Sequence, residues 1–148
     1  MDKIDKVGGI ILDDKKLLVV KKYTKENKEL YIIPGGRRAG NETDFETLRR
    51  ELKEELRIDL THAENFGGFD DIAIFENIPI HIEVYIATYG GVPTCDSEIK
   101  ELVWIDRDYK TKEIELGSIL SKFVIPELIN RDMMWKPCLF IVIRSWSW

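Results

Sequence analysis

The chain has 148 residues, 44% of them hydrophobic and 33% charged, which is the composition of one globular domain with its own core. A net charge of -5 and a pI of about 5.2 argue against non-specific binding to nucleic acid. The opening MDKIDK predicts no signal peptide, and no apolar run reaches the roughly 18 residues of a membrane-spanning helix, so we expect a cytoplasmic protein with no membrane partner.

The sequence before residue 43 predicts short strands and loops. Two apolar runs, 7–12 and 16–22, are separated by the pair Asp13–Asp14, and this pattern predicts a β-hairpin. A third apolar run at 30–33 is stopped by the Pro-Gly-Gly that follows it. The turn-forming residues in 37–42 predict a loop after that stop.

A helix is predicted at 43–56, a segment that contains neither Gly nor Pro. Thr43 and Glu46 have the spacing of a capping box, which marks the start of a helix. The apolar residues that recur at helical spacing, and that we expect to form its buried stripe, are Phe45, Leu48, Leu52 and Leu56.

The second half of the chain predicts two long strands at 66–75 and 78–89, a short strand at 102–105 and a second helix at 118–130. The second long strand alternates, with Ile80, Ile82, Val84 and Ile86 on one face and His81, Glu83, Tyr85 and Ala87 on the other. The whole pattern predicts a single domain over 1–148, of mixed α/β composition and α+β type.

The final segment, residues 138–148 (CLFIVIRSWSW), is strongly apolar and belongs to a C-terminal extension at about 131–148. We expect it to form one more strand packed on the sheet. A homodimer contact is the alternative, because an exposed apolar edge would promote aggregation. Membrane association is least favoured, since the segment is short and has almost no positive charge.

Three glutamates, Glu51, Glu54 and Glu55, lie within five residues of the predicted helix. Their spacing places them on one face, beside the buried stripe. Like charges this close repel unless a positive group lies between them, and Mg²⁺ or Mn²⁺ takes carboxylate oxygens as ligands. A solvated helix face with an Arg50–Glu54 ion pair is the alternative interpretation.

The segment 36–58, GRRAGNETDFETLRRELKEELRI, resembles the Nudix box. The matching positions are Gly36, Glu42, Arg50, Glu51, Leu52, Glu54, Glu55 and Ile58. The family has Gly where this chain has Arg57, near the helix end, where Gly would ease a left-handed turn. The resemblance extends more loosely over residues 4–130, because Glu98 lies six positions before Trp104, as an acidic loop residue does in many small Nudix enzymes.

This resemblance implies the Nudix fold, a mixed β-sheet between helices (α/β/α), and an Mg²⁺-dependent pyrophosphohydrolase, with Mn²⁺ as an alternative ion. The implied metal ligands are the Gly35 carbonyl, Glu51, Glu54, Glu55 and Glu98. Arg50 would hold the glutamates in place through charge-assisted hydrogen bonds, and Glu42 would support the loop before the helix. Activated water would attack phosphorus, with Glu54 or Glu98 as the general base.

The small size and the Glu98 loop are most similar to MutT-like enzymes, which implies an unmodified or oxidised nucleoside triphosphate giving monophosphate and pyrophosphate. Candidate substrate contacts are Arg37, His81 and Tyr85. Further candidates are Tyr23 and Phe75 for stacking on a base, and Lys21, Lys22 and Arg38 for phosphate, although most Lys and Arg side chains are merely solvated.

Three other interpretations stay open. The substrate of a Nudix hydrolase could instead be ADP-ribose, a nucleotide sugar or a capped RNA end, the last disfavoured by the acidic pI. A catalytically silent Nudix ligand-binding module is the second alternative, but such modules typically lose glutamates of the box. A structural ion site on an unrelated α/β fold leaves the Gly-Gly loop and Glu42 unexplained.

Overall fold

The computed structural model describes residues 3–22, 30–73 and 77–134, and within them two β-sheets and two α-helices form the domain. The strands are β1 (Ile4–Ile10), β2 (Leu12–Asp13), β3 (Lys16–Lys22), β4 (Gly35–Arg37), β5 (Asp59–Ala73), β6 (Ile78–Gly90) and β7 (Ile99–Ile105). One sheet has the order β4-β1-β6-β5 and the other the order β2-β3-β7. Pairing is parallel between β1 and β6 and antiparallel elsewhere, which confirms a mixed sheet.

The predicted first helix is confirmed as α1 (Asp44–Leu56). Its capping box is formed in both directions, because the Thr43 hydroxyl accepts from the Glu46 N–H and the Glu46 carboxylate accepts from the Thr43 N–H. The prediction that Phe45 belongs to the buried stripe is wrong: Phe45 is 39% exposed. Burial on α1 begins only at Thr47, so the first turn lies outside the core.

The predicted hairpin is correct only at its turn. Asp14 and Lys15 both have positive φ and connect β2 to β3, with Leu12 opposite Leu17. The preceding residues leave this sheet and form β1, which lies between β4 and β6 in the other one. A parallel partner such as β6 is distant in sequence, so a local turn signal cannot reveal it.

Several other elements begin or end at residues that differ from the sequence predictions. Strand β5 begins at Asp59, seven residues before the predicted start at Phe66, and irregularities in its pairing with β6 interrupt the alternation. The run at 30–33 makes only isolated bridges, such as Val20 with Ile32. The predicted second helix divides into a π-helical segment (Leu120–Val124) and α2 (Ile125–Asn130). Pro126 lies at the start of α2, where its missing N–H is tolerated.

Two hydrophobic cores lie on opposite sides of the sheets, which confirms the α/β/α arrangement. Successive residues of β3 alternate between them: Leu17 and Val19 pack toward the α2 side, whereas Leu18 and Val20 pack toward α1. The predicted alternation of β6 is likewise confirmed, because Ile82 and Val84 pack in the core on the α2 side and Ala87 packs in the core on the α1 side.

Several expectations concern residues outside the described part of the chain. The apolar tail at 138–148 and the proposed base-stacking residues Tyr23 and Phe75 belong to this group. Within 3–22, 30–73 and 77–134, no helix is both long and apolar enough to cross a membrane.

The burial pattern of α1 predicts unequal effects of two truncations on the same helix. Leu52→Ala removes a fully buried side chain, so the free energy of unfolding should fall by about 2–5 kcal/mol. Phe45→Ala, the matched control at an exposed position, should change it by less than about 1 kcal/mol. Urea unfolding followed by circular dichroism measures both. Equal losses for the two variants would mean that this placement of α1 is wrong.

Candidate active site

The last turn of α1 faces the start of β4. Gly35 has φ +144°, and a Cβ there would lie 2.1 Å from the Val7 carbonyl oxygen, so only glycine fits. The Gly35 N–H donates to Oε1 of Glu55 at 3.0 Å. A helix carboxylate is thereby attached to the Pro-Gly-Gly turn, whose Gly35 carbonyl is a metal ligand implied by the family resemblance.

Glu55 is the buried member of the glutamate cluster, only 1% exposed. Its Oε2 lies 2.6 Å from Nζ of Lys22 as an ion pair, although without the alignment of a good hydrogen bond. Burial raises the pKa of Glu55 above its ordinary value, and the attraction of Lys22 only partly opposes this. Lys22 therefore favours the charged form of this carboxylate.

Lys22, the last residue of β3, places its ammonium among three oxygens. Besides Glu55, Nζ donates to the Gly35 carbonyl at 3.0 Å and lies 3.5 Å from Oε1 of Glu98. Burial by itself would lower the pKa of Lys22, but the negative charges around it, that of Glu55 first, outweigh burial, so the pKa is raised.

The central position of Lys22 was missed by the sequence reasoning, which placed it among candidate phosphate contacts. A signal was available. Leu18 and Val20 face the α1 side of the sheet, and period-two alternation places Lys22 on that same face.

Arg50 organises the other side of the cluster. Its guanidinium donates to both oxygens of Glu42, at 2.8 and 2.9 Å, and to Oε1 of Glu51 at 2.9 Å. A weaker ion pair reaches Oε2 of Glu54 at 3.5 Å. The hydrogen bond from Arg50, followed by the Ala39 N–H, lowers the pKa of Glu42 to about 2. The contacts expected of Arg50 and Glu42 are thus both present.

The carboxylates of the cluster differ in exposure. The side chains of Glu54 and Glu98 are 54% and 57% exposed, whereas Glu51 packs against β4. A Cβ at Gly36 would lie 2.5 Å from Oε1 of Glu51, so this glycine makes room for the carboxylate. Solvent can reach Glu54 and Glu98, while Glu51 and Glu55 are fixed by the protein.

The five predicted metal ligands lie around this part of α1, but their carboxylates do not converge. Within the described residues, no three Asp, Glu, His or Cys side chains form a group that could hold a metal ion together. The physical reason is that Glu55 and Glu98 turn toward Lys22, and Glu51 and Glu54 toward Arg50. In chemical type the set still fits Mg²⁺, because all the donors, including the Gly35 carbonyl, are hard oxygens.

The loop that carries Glu98 is attached to the end of α1. Arg57 adopts the left-handed conformation that a glycine would favour, with φ 58° and ψ 33°. Its Nε donates to Oδ2 of Asp96 at 2.7 Å, and the Asp96 N–H donates to the carbonyl of Glu55 at 2.9 Å. These contacts hold the loop two residues before Glu98.

The candidate substrate residues His81 and Tyr85 lie away from the glutamate cluster at the end of α1. The Tyr85 hydroxyl donates to Asp44, about three helical turns from Glu55. The ring nitrogens of His81 contact Asp70 and Glu83, and these hydrogen bonds, that of Glu83 first, raise the pKa of His81.

The two arginines of the loop before α1 differ in their contacts. Arg38 forms ion pairs with Asp5 and Asp44 at the start of α1. Arg37 is exposed at the end of β4, and its carbonyl accepts a hydrogen bond from Arg50 at 3.1 Å, so its backbone lies beside the cluster.

Comparison with known proteins gives one family match and several structural ones. The model of the NUDIX domain matches residues 2–118, and no curated protein sequence matches significantly. The chain is similar to a MutT NUDIX hydrolase from Burkholderia pseudomallei, with 24% identity and a TM-score of 0.64 over 71% of this chain and 84% of that one. It is also similar to the E. coli ORF135 protein, with 25% identity and a TM-score of 0.66 over 85% of this chain and 86% of that one.

A third similar structure is the bifunctional NMN adenylyltransferase/ADP ribose pyrophosphatase from Francisella tularensis, complexed with AMP and an Mn ion. It shares 21% identity and a TM-score of 0.68 over 88% of this chain but only 42% of its own length. At this identity the likeness concerns the fold of the matched domain.

The Arg50–Glu42 contact predicts a pH-dependent contribution to stability. The pKa of Glu42 is lowered from 4.5 to about 2 in the folded chain. The ionised Glu42 therefore stabilises the fold fully above pH 4.5, and this contribution is lost as the pH falls toward 2. Glu42→Gln should therefore lower stability at neutral pH, and the difference from wild type should shrink over that interval.

Urea unfolding at a series of pH values measures this difference. Glu64→Gln, at an exposed position on β5, is the matched control and should remain close to wild type throughout. A Glu42→Gln deficit that stays constant down to the acid limit would contradict the assigned cause.

Proposed function

The chain belongs to the Nudix hydrolase family, and we propose that it hydrolyses a nucleoside triphosphate, unmodified or oxidised, to the monophosphate and pyrophosphate. Its reaction class is hydrolysis of phosphoric anhydride bonds, and Nudix hydrolases act on small nucleotide substrates with divalent metal ions. The observation that carries the proposal is the complete charged cluster, in which Arg50 contacts three carboxylates beside the buried Glu55.

We propose Mg²⁺ as the cofactor, with Mn²⁺ as an alternative. The groups that would hold it are the Gly35 carbonyl, Glu51, Glu54, Glu55 and Glu98. The hard-oxygen donor set supports this assignment, as does the Mn ion in the Francisella neighbour. When bound, the ion would supply Lewis acidity and offset negative charge on the phosphate oxygens.

The chain's own residues would divide the remaining work. A water molecule attacks phosphorus, Glu54 accepts its proton, and the bond from phosphorus to the bridging oxygen of pyrophosphate breaks. Glu54 is favoured because its carboxylate is half exposed and yet oriented by Arg50. Glu98 is the second candidate for the base, since it is similarly exposed at the edge of the cluster.

Residues that would contact the rest of the substrate are proposed from their positions relative to the cluster. Arg37 is proposed to bind phosphate, because it follows Gly36 beside the cluster and is exposed. His81 and Tyr85, on the β6 face near the start of α1, are proposed to border the opposite end of the substrate. The homodimer proposal rests on the apolar tail, which lies outside the described residues.

A second candidate substrate is ADP-ribose or another diphosphate-linked compound. The observation that favours it is the ADP ribose pyrophosphatase named for the Francisella neighbour. The same cluster would serve this reaction, because the attacked bond is again a phosphoric anhydride. A catalytically silent binding module is disfavoured, since every glutamate of the box is retained.

Glu54→Gln tests the proposal with a change of charge and almost none of shape. The purified chain is incubated with Mg²⁺ and a panel of unmodified and oxidised dNTPs, ADP-ribose and nucleotide sugars, and products are separated by chromatography. Turnover by the variant should fall by about 10²-fold or more, the range of a lost general base, with an unchanged melting temperature. Glu46→Gln, on the same helix, is the matched control. Glutamine can still accept the Thr43 N–H of the capping box, so turnover should remain near that of wild type.

The products separate the candidates. Monophosphate and pyrophosphate from a triphosphate, abolished by chelation, support the first substrate class, whereas cleavage of ADP-ribose alone moves the proposal to the second. Near-normal turnover by Glu54→Gln would transfer the role of base to Glu98. Absence of all turnover, with a nucleotide still raising the melting temperature, would contradict hydrolysis.

A further inference from the structure

The Lys22 ammonium makes its contacts with groups that the proposed function assigns to a metal ion. Nζ lies 2.6 Å from Glu55, 3.0 Å from the Gly35 carbonyl oxygen and 3.5 Å from Glu98. These are three of the five proposed ligands.

The strand pairing explains how a lysine reaches this position. Lys22 is paired with Ile99 in the register of β3 and β7, so it lies beside the residue that follows Glu98. Its side chain points to the α1 side of the sheet, as Leu18 and Val20 do. The backbone is fixed by pairing, whereas the ammonium ends a flexible four-carbon stem and can move without moving the strand.

A divalent ion and this ammonium cannot share the same oxygens. Mg²⁺ requires oxygen ligands at about 2.1 Å in near-octahedral geometry. An ion bound to Glu55 and the Gly35 carbonyl would therefore stand next to Nζ, where two positive charges repel, and the Gly35 oxygen already accepts from the ammonium and Glu55 is already paired with it. One cation must give way to the other.

We propose that Lys22 is a built-in competitor for the divalent ion, which sets the affinity of the cluster and moves aside when the ion binds. The proposal rests on the proposed function for the identity of the ligands. Lys22 acts as a positioning residue: its ammonium pairs with Glu55 beside the Gly35 turn, and it lowers the metal affinity that these oxygens would otherwise have.

A purely structural lysine would behave differently. Removing its charge would destabilise the chain, because Glu55 would be left buried without a positive charge beside it, and a disturbed site would bind ions less well. Competition predicts a loss of stability without metal together with a gain in metal affinity. These two opposite changes in one variant distinguish the two roles.

Lys22→Met, which keeps the length of the stem without the charge, is the direct test. Binding of Mn²⁺ alone to the full chain is followed by the electron paramagnetic resonance signal of free Mn²⁺. We expect the dissociation constant to fall by about tenfold, within the usual coupling of about 5–150-fold between two linked binding events. With EDTA present, the melting temperature should fall below that of wild type.

Lys21→Met is the matched control, since it removes the same charge from the neighbouring residue, which lies over the Tyr31 ring on the opposite face of β3. Its Mn²⁺ affinity should stay within about threefold of wild type, because more distant charges are screened. If Lys22→Met does not fold, Lys22→Gln replaces it, as its amide can still donate to Glu55. An affinity that is unchanged or weaker in the Lys22 variant, relative to the Lys21 control, overturns the proposal.

The outcome is separable from that of the proposed function. Turnover by wild type in Mg²⁺ tests hydrolysis, independently of the Lys22 variants. If wild type neither turns over nucleotides nor binds Mn²⁺, the proposed function fails. Competition is then supported by Mn²⁺ binding that appears in Lys22→Met or Lys22→Gln, and overturned if neither variant binds.

Discussion

The arrangement of this domain depends on a buried carboxylate. Glu55 accepts a hydrogen bond from the Gly35 N–H and pairs with Lys22, so one side chain connects α1, β4 and β3. A buried charge is costly unless it is paired and hydrogen-bonded, so each of these contacts constrains the sequence around it. Gly35 can carry no side chain, and Lys22 must end its strand on the side of α1.

The other carboxylates of the cluster are all glutamates, but they differ in their partners and in their exposure to solvent. Arg50 holds Glu42 and Glu51 close to the loop, while Glu54 and Glu98 remain open to solvent. A hydrolase needs both kinds of group, since fixed carboxylates define the site and exposed ones can exchange protons with water. The Arg57–Asp96 contact adds the Glu98 loop to the end of the same helix.

Sequence reasoning succeeded where the signal is local. Helix α1 and its capping box follow from spacing over a few turns. It failed where the determinant is distant. The residues of β6 that pair with β1 lie 76 positions further along the chain, as Ile80 does from Ile4. Phe45 has the right spacing but lies in a turn that the core does not cover. Lys22 was underestimated because lysines are usually solvated, although alternation along β3 placed it on the same face as Leu18 and Val20.

The central claim is that the cluster around Glu55 is a divalent-metal centre for hydrolysis. Anomalous diffraction from crystals grown with Mn²⁺ tests it most directly, since it locates the ion independently of activity. The account predicts one strong peak within coordination distance of Glu55 and the Gly35 carbonyl oxygen, with Nζ of Lys22 displaced from both. A fully occupied ion elsewhere on the chain, with the Lys22–Glu55 pair intact, would contradict it.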